Sequence, residues 1–197
     1  MKATVHKGFH KGLMMHCSAC KRGSLVPTRL DDLFNAHRCN HCGGHWVLID
    51  DFVSWKALHP DTEFAPVTAI EESEDSPMAL FCPMSHTLMR KLKISTDTDH
   101  RLDYSAAVGG VWLDKGEWPL LKSMGLASCL NLLVTQEWQN RLRQSQTQHN
   151  FAEHYRNKFG DDTYAELKRI RAWLSAQPNK VELKQYLLTD DPYSASR

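Results

Sequence analysis

Residues 39–50 read Cys39-Asn40-His41-Cys42-Gly43-Gly44-His45-Trp46-Val47-Leu48-Ile49-Asp50. A cysteine pair runs through two glycines into a short apolar run. Glycine adopts positive φ at no steric cost, so it suits a tight turn at this point. An apolar run bounded by glycine and aspartate is typical of a small β-strand. The stretch therefore predicts a turn that presents two thiols, followed by a strand.

A second cysteine pair lies upstream, at Cys17 and Cys20, and 18 residues separate it from Cys39 and Cys42. Two residues between cysteines allow both sulfurs to reach one metal ion at about 2.3 Å. We therefore predict one structural Zn²⁺ per chain, held by these four cysteines in a zinc ribbon. Because four protein ligands complete a tetrahedron, we expect no open coordination position and no catalysis at this metal.

The main alternative at these cysteines is a thiol redox or zinc-sensing switch. A thioredoxin-type site needs one Cys-x2-Cys at the start of a helix, whereas this chain has two such pairs at the distance of a ribbon. Cys82 and Cys129 stand alone, and in a reducing compartment this usage favours metal over disulfides.

Three histidines, His37, His41 and His45, lie close to the cysteines in sequence. We expect them at the surface or beside the site and not as ligands, because the cysteines already fill a tetrahedron. The cations nearby offer contacts to an anionic partner as a secondary interpretation: Lys21, Arg22, Arg29 and Arg38.

Residues 105–114 repeat the opening motif without its cysteines. Adding 66 to a position relates Gly43-Gly44 to Gly109-Gly110, Trp46 to Trp112, Cys39 to Ser105, and Cys42 to Val108. Upstream, with one residue of slippage, Cys17 and Cys20 correspond to Cys82 and Ser85. Three of the four ligand positions are therefore replaced in the second copy, and we predict that it binds no metal.

The second copy resembles a known family. Its two ends are similar to those of the bacterial transcription factor IIB type zinc ribbon. They read Cys82-Pro83-Met84-Ser85 and Gly109-Gly110-Val111-Trp112-Leu113-Asp114-Lys115-Gly116-Glu117. That pattern runs from Cys-Pro-x-Cys to Cys-x2-Cys-Gly-Gly-x-Trp-Leu-Asp and a Gly-Glu that opens a helix. The resemblance covers residues 17–58 and 80–125, and it implies a metal-binding interaction module linked with transcription or nucleic acid.

A ribbon without a metal ion must be held together by burial of apolar side chains. The second copy is rich in such residues, namely Leu80, Phe81, Leu88, Leu92, Ile94, Leu102, Val108, Val111, Trp112, Leu113, Trp118, Leu120 and Leu121. A rival interpretation builds an open metal site of mixed ligands from Cys82, His86, His100 and Asp103, which would make the protein a metal-dependent enzyme.

The remaining segments differ in composition. Residues 1–16 are rich in Lys, His and Gly, and we predict a flexible basic arm. The predicted four-cysteine ribbon with a short helix occupies 17–59, an acidic, proline-containing linker 60–79, and the degenerate ribbon 80–125. The fold class is therefore small α+β: two ribbon-like β units followed by a helical region, residues 126–192.

Apolar side chains at intervals of four predict two helices, or one bent helix, between Leu130 and Phe159, with Gly160 as the stop. Thr163 and Glu166 form a capping-box pattern that predicts the start of the next helix. A last short helix is expected after Asn179, ending at Pro192.

The chain has 197 residues with 42% hydrophobic and 24% charged, as in ordinary globular proteins. No run of about 18 apolar residues and no signal-peptide pattern is present, so we expect a cytoplasmic protein without a membrane span. The formal net charge of +1 is uneven, +5 over residues 1–45 and −7 over 46–80. One uniform basic face for a nucleic-acid duplex is therefore not expected.

No Ser-His-Asp order, phosphate-binding glycine loop or His-Glu-x2-His pattern appears, which favours binding over catalysis. We therefore predict a non-enzymatic adaptor. Its partner is more consistent with protein than with nucleic acid, because residues 138–197 carry ten bases against seven acids, a net of only +3. Weak, salt-sensitive nucleic-acid binding is the second expectation, because cationic side chains in this region could contact phosphates. These are Arg141, Arg143, Arg156, Lys158, Lys168, Arg169 and Arg171.

Overall fold

The computed structural model describes residues 15–64 and 78–193. The predicted arm, residues 1–16, lies outside this range except at Met15 and His16, and so does most of the predicted linker. The chain divides into two compact units, the first ending at Arg143 and the second beginning at Gln144. In the described ranges no helix is long and apolar enough to span a membrane.

The first unit contains one antiparallel sheet of six strands. These are β1 (Leu25–Leu30), β2 (Phe34–Cys39), β3 (His45–Leu48), β4 (Arg90–Lys93), β5 (Arg101–Ser105) and β6 (Gly110–Leu113). Their order in the sheet is β1-β2-β3-β6-β5-β4. The first three strands come from the four-cysteine ribbon and the last three from its copy. The two ribbons are thus joined through their last strands. The strand order is symmetric about this joint, with the first strand of one ribbon at each edge of the sheet.

The joint between the ribbons is centred on Trp46 of β3 and Trp112 of β6, which are register partners. They are also equivalent positions of the repeat, 66 residues apart. An antiparallel pair that places equivalent residues opposite each other has a local two-fold relationship. The duplicated ribbons therefore pair with each other as two subunits of a dimer do.

One face of the sheet is covered by helices from both ribbons and from the start of the helical region that follows them. They are α1 (Ile49–Leu58), α2 (Glu117–Ser123) and, after a 3-10 turn at Ala127–Cys129, α3 (Leu130–Leu133). Phe34 lies in the middle, with ring centroids 5.2 Å from Phe52, 5.4 Å from Trp55 and 5.5 Å from Trp118. Val47, Val111 and Leu113 point into the same core. Apolar burial, the main stabilising contribution to a fold, is thus shared between the ribbons.

A smaller core on the opposite face contains both tryptophans and the cysteine-bearing ends of both ribbons. Trp46 and Trp112 are fully buried there, beside Cys39 and Cys82. The predicted α+β architecture is confirmed. The residue boundaries predicted for the separate ribbons remain predictions. That the two ribbons share one sheet was not predicted from the sequence.

The remaining helices are α4 (Gln136–Phe159), α5 (Asp161–Ser175) and α6 (Lys180–Leu188). The first of them is a single helix of 24 residues. It ends where expected: Gly160 has φ of +79° and its N–H bonds to the Arg156 carbonyl. The predicted start at the Thr163 capping box was wrong, because helix α5 begins at Asp161, directly after the glycine. The last helix also ends before Pro192, at Leu188.

Candidate metal centre

The four predicted cysteines come together at one point of the first ribbon. Their sulfur atoms all lie within 4.8 Å of one another. The Sγ atoms of Cys17 and Cys42 are 3.7 Å apart, and so are those of Cys20 and Cys39. Four sulfurs at about 2.3 Å from a zinc ion have edges of about 3.8 Å in a regular tetrahedron. The sulfur positions therefore fit one structural Zn²⁺.

The backbone around the cysteines supports this site by aiming N–H groups at the sulfurs. Cys20 donates to the Cys17 sulfur, Gly23 to the Cys20 sulfur, and both His41 and Cys42 to the Cys39 sulfur, each at 3.4 Å. Such bonds disperse thiolate charge and hold the ligands in place. The turns have the tight form expected of zinc knuckles, with positive φ at Lys21 and Gly43.

The pKa values of the thiols differ within the cluster. Burial raises the pKa of Cys17 well above its usual value, and it raises the pKa of Cys42 to about 11. Burial acts in the same direction on Cys20, but the backbone amides of Arg22 and Gly23 outweigh it and bring that pKa to about 6. Four thiolates this close together repel one another, so they ionise together only around a positive ion.

The neighbouring histidines are not part of the sulfur cluster. Among the described residues, the only group that could hold a metal consists of the four cysteines. Burial lowers the pKa of His45 to about 4 and lowers the pKa of His37 as well. His41 is exposed. The prediction that these residues do not complete the tetrahedron is consistent with this arrangement.

The second ribbon keeps the knuckle backbone although its ligands are replaced. His86 has the same φ of 56° as Lys21, and Gly109 has positive φ, as Gly43 does. The sulfur of Cys82 accepts N–H bonds from Met84 at 3.4 Å and from Ser85 at 3.3 Å. Burial raises the pKa of Cys82, but the hydrogen bonds from the Ser85 and Met84 N–H groups outweigh it, so that the pKa is lowered. The second site is thus a knuckle pair with one thiol and two hydroxyls.

The rival metal site of Cys82, His86, His100 and Asp103 is not assembled. The His100 Nε2 lies 2.5 Å from a carboxylate oxygen of Glu117, and Asp103 forms an ion pair with Lys91 at 3.2 Å. These four residues do not appear as a metal-binding group in the part of the chain that the structure describes. The described structure therefore does not bring together the residues of this alternative metal site.

Glu117 instead belongs to a buried polar network. This network gives structural roles to the polar residues of the Trp-Leu-Asp-x-Gly-Glu motif in the second ribbon. One carboxylate oxygen faces His100, and the other accepts the Asp114 N–H at 2.7 Å. Asp114 in turn accepts the indole N–H of Trp112 at 2.6 Å. Burial raises the pKa of Glu117 to about 7 although His100 opposes the shift. Sequence analysis missed this network, because its members are joined only in the tertiary structure.

The surfaces around the two cysteine-bearing ends differ. Beside the zinc site lies an open cleft of about 480 Å³, lined in part by the cationic side chains Arg38 and Lys115 and by His41. At the second ribbon the corresponding end exposes three large apolar side chains, Phe81 at 56%, Met84 at 47% and Leu88 at 59%, next to the exposed His86 and Thr87. Phe81 and Leu88 were predicted as core residues of the metal-free ribbon, and that prediction was wrong.

Comparison with known proteins identifies the first ribbon. Residues 16–58 match the family model described as transcription factor zinc-finger, the TFIIB-type zinc ribbon. The match covers about a fifth of the chain and contains all four cysteines. No curated protein and no solved structure matched the chain. The match agrees with the cysteine geometry, and both are consistent with one structural Zn²⁺ held by the four cysteines of this part of the chain.

Proposed function

We propose that this protein is a non-enzymatic adaptor of the transcription apparatus, in which Cys17, Cys20, Cys39 and Cys42 hold one structural Zn²⁺. The closed set of four sulfurs supports a structural role, because a catalytic zinc keeps one position open for water or substrate. The cytoplasm is the compartment that fits best, since none of the six cysteines forms a disulfide. The link with transcription rests on the description of the matching family.

The observation that carries the adaptor proposal is the contrast between the two knuckles. They share their backbone form, yet the one with the metal ligands exposes Lys21 and Arg22, whereas the other exposes Phe81, Met84 and Leu88. Exposed apolar side chains that lie together mark protein-contact surfaces. We infer that a protein partner docks on this exposed apolar surface of the second ribbon.

Nucleic acid is the second candidate partner. The cleft beside the zinc site favours it, because Arg38, His41 and Lys115 can approach phosphates. Binding through so few cations is expected to be weak and to weaken further as the salt concentration rises.

Binding to purified RNA polymerase core enzyme tests the proposal, measured by biolayer interferometry on the full chain at about 150 mM salt. We expect binding that survives nuclease treatment. The double variant Phe81→Ser/Leu88→Ser should weaken it at least about tenfold, because exposed apolar anchors dominate such contacts. The matched control is Val53→Ser on α1, an apolar side chain 42% exposed and distant in sequence from the knuckle.

Two results would overturn the proposal. Loss of binding on nuclease treatment would assign the interaction to nucleic acid. Absence of any binding to polymerase by a preparation that holds its zinc would contradict the association with transcription.

A further inference from the structure

The second compact unit, from Gln144 onward, contains a groove of about 610 Å³ between α4 and α5. Its floor is apolar and comes from both helices: Phe151, Tyr155 and Phe159 on the first, and Tyr164 and Leu167 on the second. Phe151 is 58% and Leu167 42% exposed. Side chains of this size rarely line an open groove on a small helical unit unless something binds there.

The rings in the groove are arranged for apolar contact and not for stacking with bases. Tyr155 stacks on Phe159 with centroids 5.8 Å apart and on Tyr164 with centroids 6.4 Å apart. Lys158 lies over the Phe159 ring and Lys168 over the Tyr164 ring. Single-stranded nucleic acid is bound on free aromatic faces. Tyr155, Phe159 and Tyr164 each already contact another ring or a cation, which leaves Phe151 as the one described ring of the groove without such a contact. A protein segment is therefore the favoured occupant.

The charge at the rim of the groove indicates which kind of protein segment would bind there. Of the described residues that line the groove, Lys168 and Arg171 are cationic and none is acidic. Neither of these two forms an ion pair within the described part of the chain, whereas the neighbouring Arg169 is bound by both carboxylate oxygens of Glu166. The groove thus presents two uncompensated positive charges beside an apolar floor.

We propose that this groove binds an amphipathic helix that carries acidic residues at one end, supplied by a partner protein. On α4 the lining extends from Gln148 to Phe159, which corresponds to about 17 Å of helix, or about three turns. A partner helix of that length places apolar side chains at i, i+4 and i+7 on the floor, the usual mode of helix-in-groove recognition. Its carboxylates then meet Lys168 and Arg171. This rests on the proposed adaptor role, for which it supplies a second docking site.

A second copy of this chain is the competing occupant. Its helix α6 exposes Val181, Leu187 and Leu188 and is followed by Asp190 and Asp191. Lys180 and Lys184 on the same helix oppose entry into a cationic groove, so the proposal commits to a different protein, and a dimer in solution that Phe151→Ser dissociates would contradict it.

Fluorescence anisotropy on the full zinc-loaded chain tests this with three labelled probes. The first is a synthetic 15-residue helical peptide with leucines at i, i+4 and i+7 and glutamates at one end. The second has the same leucines with lysine in place of glutamate, and the third is a 15-residue oligothymidylate. We expect the acidic peptide to bind about tenfold more tightly than the basic one, which two exposed ion pairs of usual strength supply.

Lys168→Glu/Arg171→Glu should reverse this preference, and Phe151→Ser should weaken both peptides. The matched controls on α6, Lys180→Glu/Lys184→Glu and Leu187→Ser, should leave the affinities unchanged. Equal affinity for the two peptides, or tight oligothymidylate binding that depends on Lys168 and Arg171, would overturn the inference. Zinc content is measured on the same preparations. A chain that holds one zinc but binds neither peptide refutes the groove alone, whereas a chain without zinc refutes the proposed function.

Discussion

Trp46 and Trp112 are register partners at the centre of the six-stranded sheet, and each packs against a glycine of the opposite ribbon. A Cβ at Gly110 would overlap the Trp46 ring, and a Cβ at Gly44 would overlap the Trp112 ring. The glycines that follow the knuckles therefore do more than permit a turn. They open the space into which the tryptophan of the other ribbon fits.

Gly110→Ala should destabilise the first unit by about 3 kcal/mol, because a buried aromatic ring must move to admit the new methyl group. The measurement is the free energy of unfolding from urea titration. The matched control is Gly125→Ala, where a Cβ meets nothing within 4 Å and the only penalty comes from φ of +68°. We expect about 1 kcal/mol there. Equal losses in the two variants would contradict the packing of each tryptophan on the opposite ribbon.

Restoring the missing ligands should create a second zinc site. The second ribbon keeps Cys82 and positive φ at His86 and Gly109, so Ser85→Cys/Ser105→Cys/Val108→Cys supplies the remaining sulfurs on a suitable backbone. We expect the zinc content to rise from one to two ions per chain. In the control, the same triple variant with Cys82→Ser has only three thiols and should hold the second ion much more weakly. A triple variant that still binds one zinc ion per chain would show that the backbone of the second knuckle no longer positions four sulfurs around a metal ion.

Ionisation of Glu117 should make stability depend on pH. Its pKa is about 7 in the folded chain, against a usual value of 4.5, mainly because it is buried. Between these values the folded chain holds a proton that the unfolded chain has released, so the free energy of unfolding falls as pH rises from 4.5 to 7. The fall attributable to this residue is on the order of 1–3 kcal/mol.

Glu117→Gln should remove that part of the slope, since the amide keeps acceptor and donor groups toward Asp114 and His100 without titrating. Urea titrations at several pH values measure it, with the exposed Glu182→Gln on α6 as the control. If the slope of Glu117→Gln equals that of the unsubstituted chain, the raised pKa is refuted.

Removal of zinc should affect strands of both ribbons. A chelator is expected to abolish hydrogen-exchange protection in β1 and β2, because metal binding supplies much of the folding free energy of such units. Since β6 pairs with β3, residues 110–113 should lose protection as well, while β4 at the far edge should retain more. Full protection of β6 after chelation would indicate that the ribbons fold independently.

The four-cysteine cluster could be predicted from the sequence because its spacing depends only on local turns. The repeat was visible in Gly109-Gly110 and Trp112, which keep their places when the ligands change. The joint between β3 and β6 was not predicted, although a signal exists. The run Trp46-Val47-Leu48-Ile49 is apolar at consecutive positions, as in a strand buried on both faces at the centre of a sheet.

Other features depend on contacts that the sequence does not display. His100 and Glu117 are 17 residues apart, and only the sheet and α2 bring them within 2.5 Å. The Thr163 capping box was a sound local pattern, but Gly160 ends one helix and the chain enters the next at once, with Asp161 and Asp162 in its first turn. Acidic side chains in the first turn interact favourably with the helix dipole. Helix α5 therefore begins upstream of the capping-box pattern at Thr163.

The metal content of the purified full chain, measured by mass spectrometry of zinc against protein concentration, tests the central claim most directly. We expect one zinc per chain, none in Cys17→Ser/Cys39→Ser, and still one in Cys82→Ser. Two ions per chain, or loss of zinc in Cys82→Ser, would contradict a duplicated ribbon in which only the first copy binds metal.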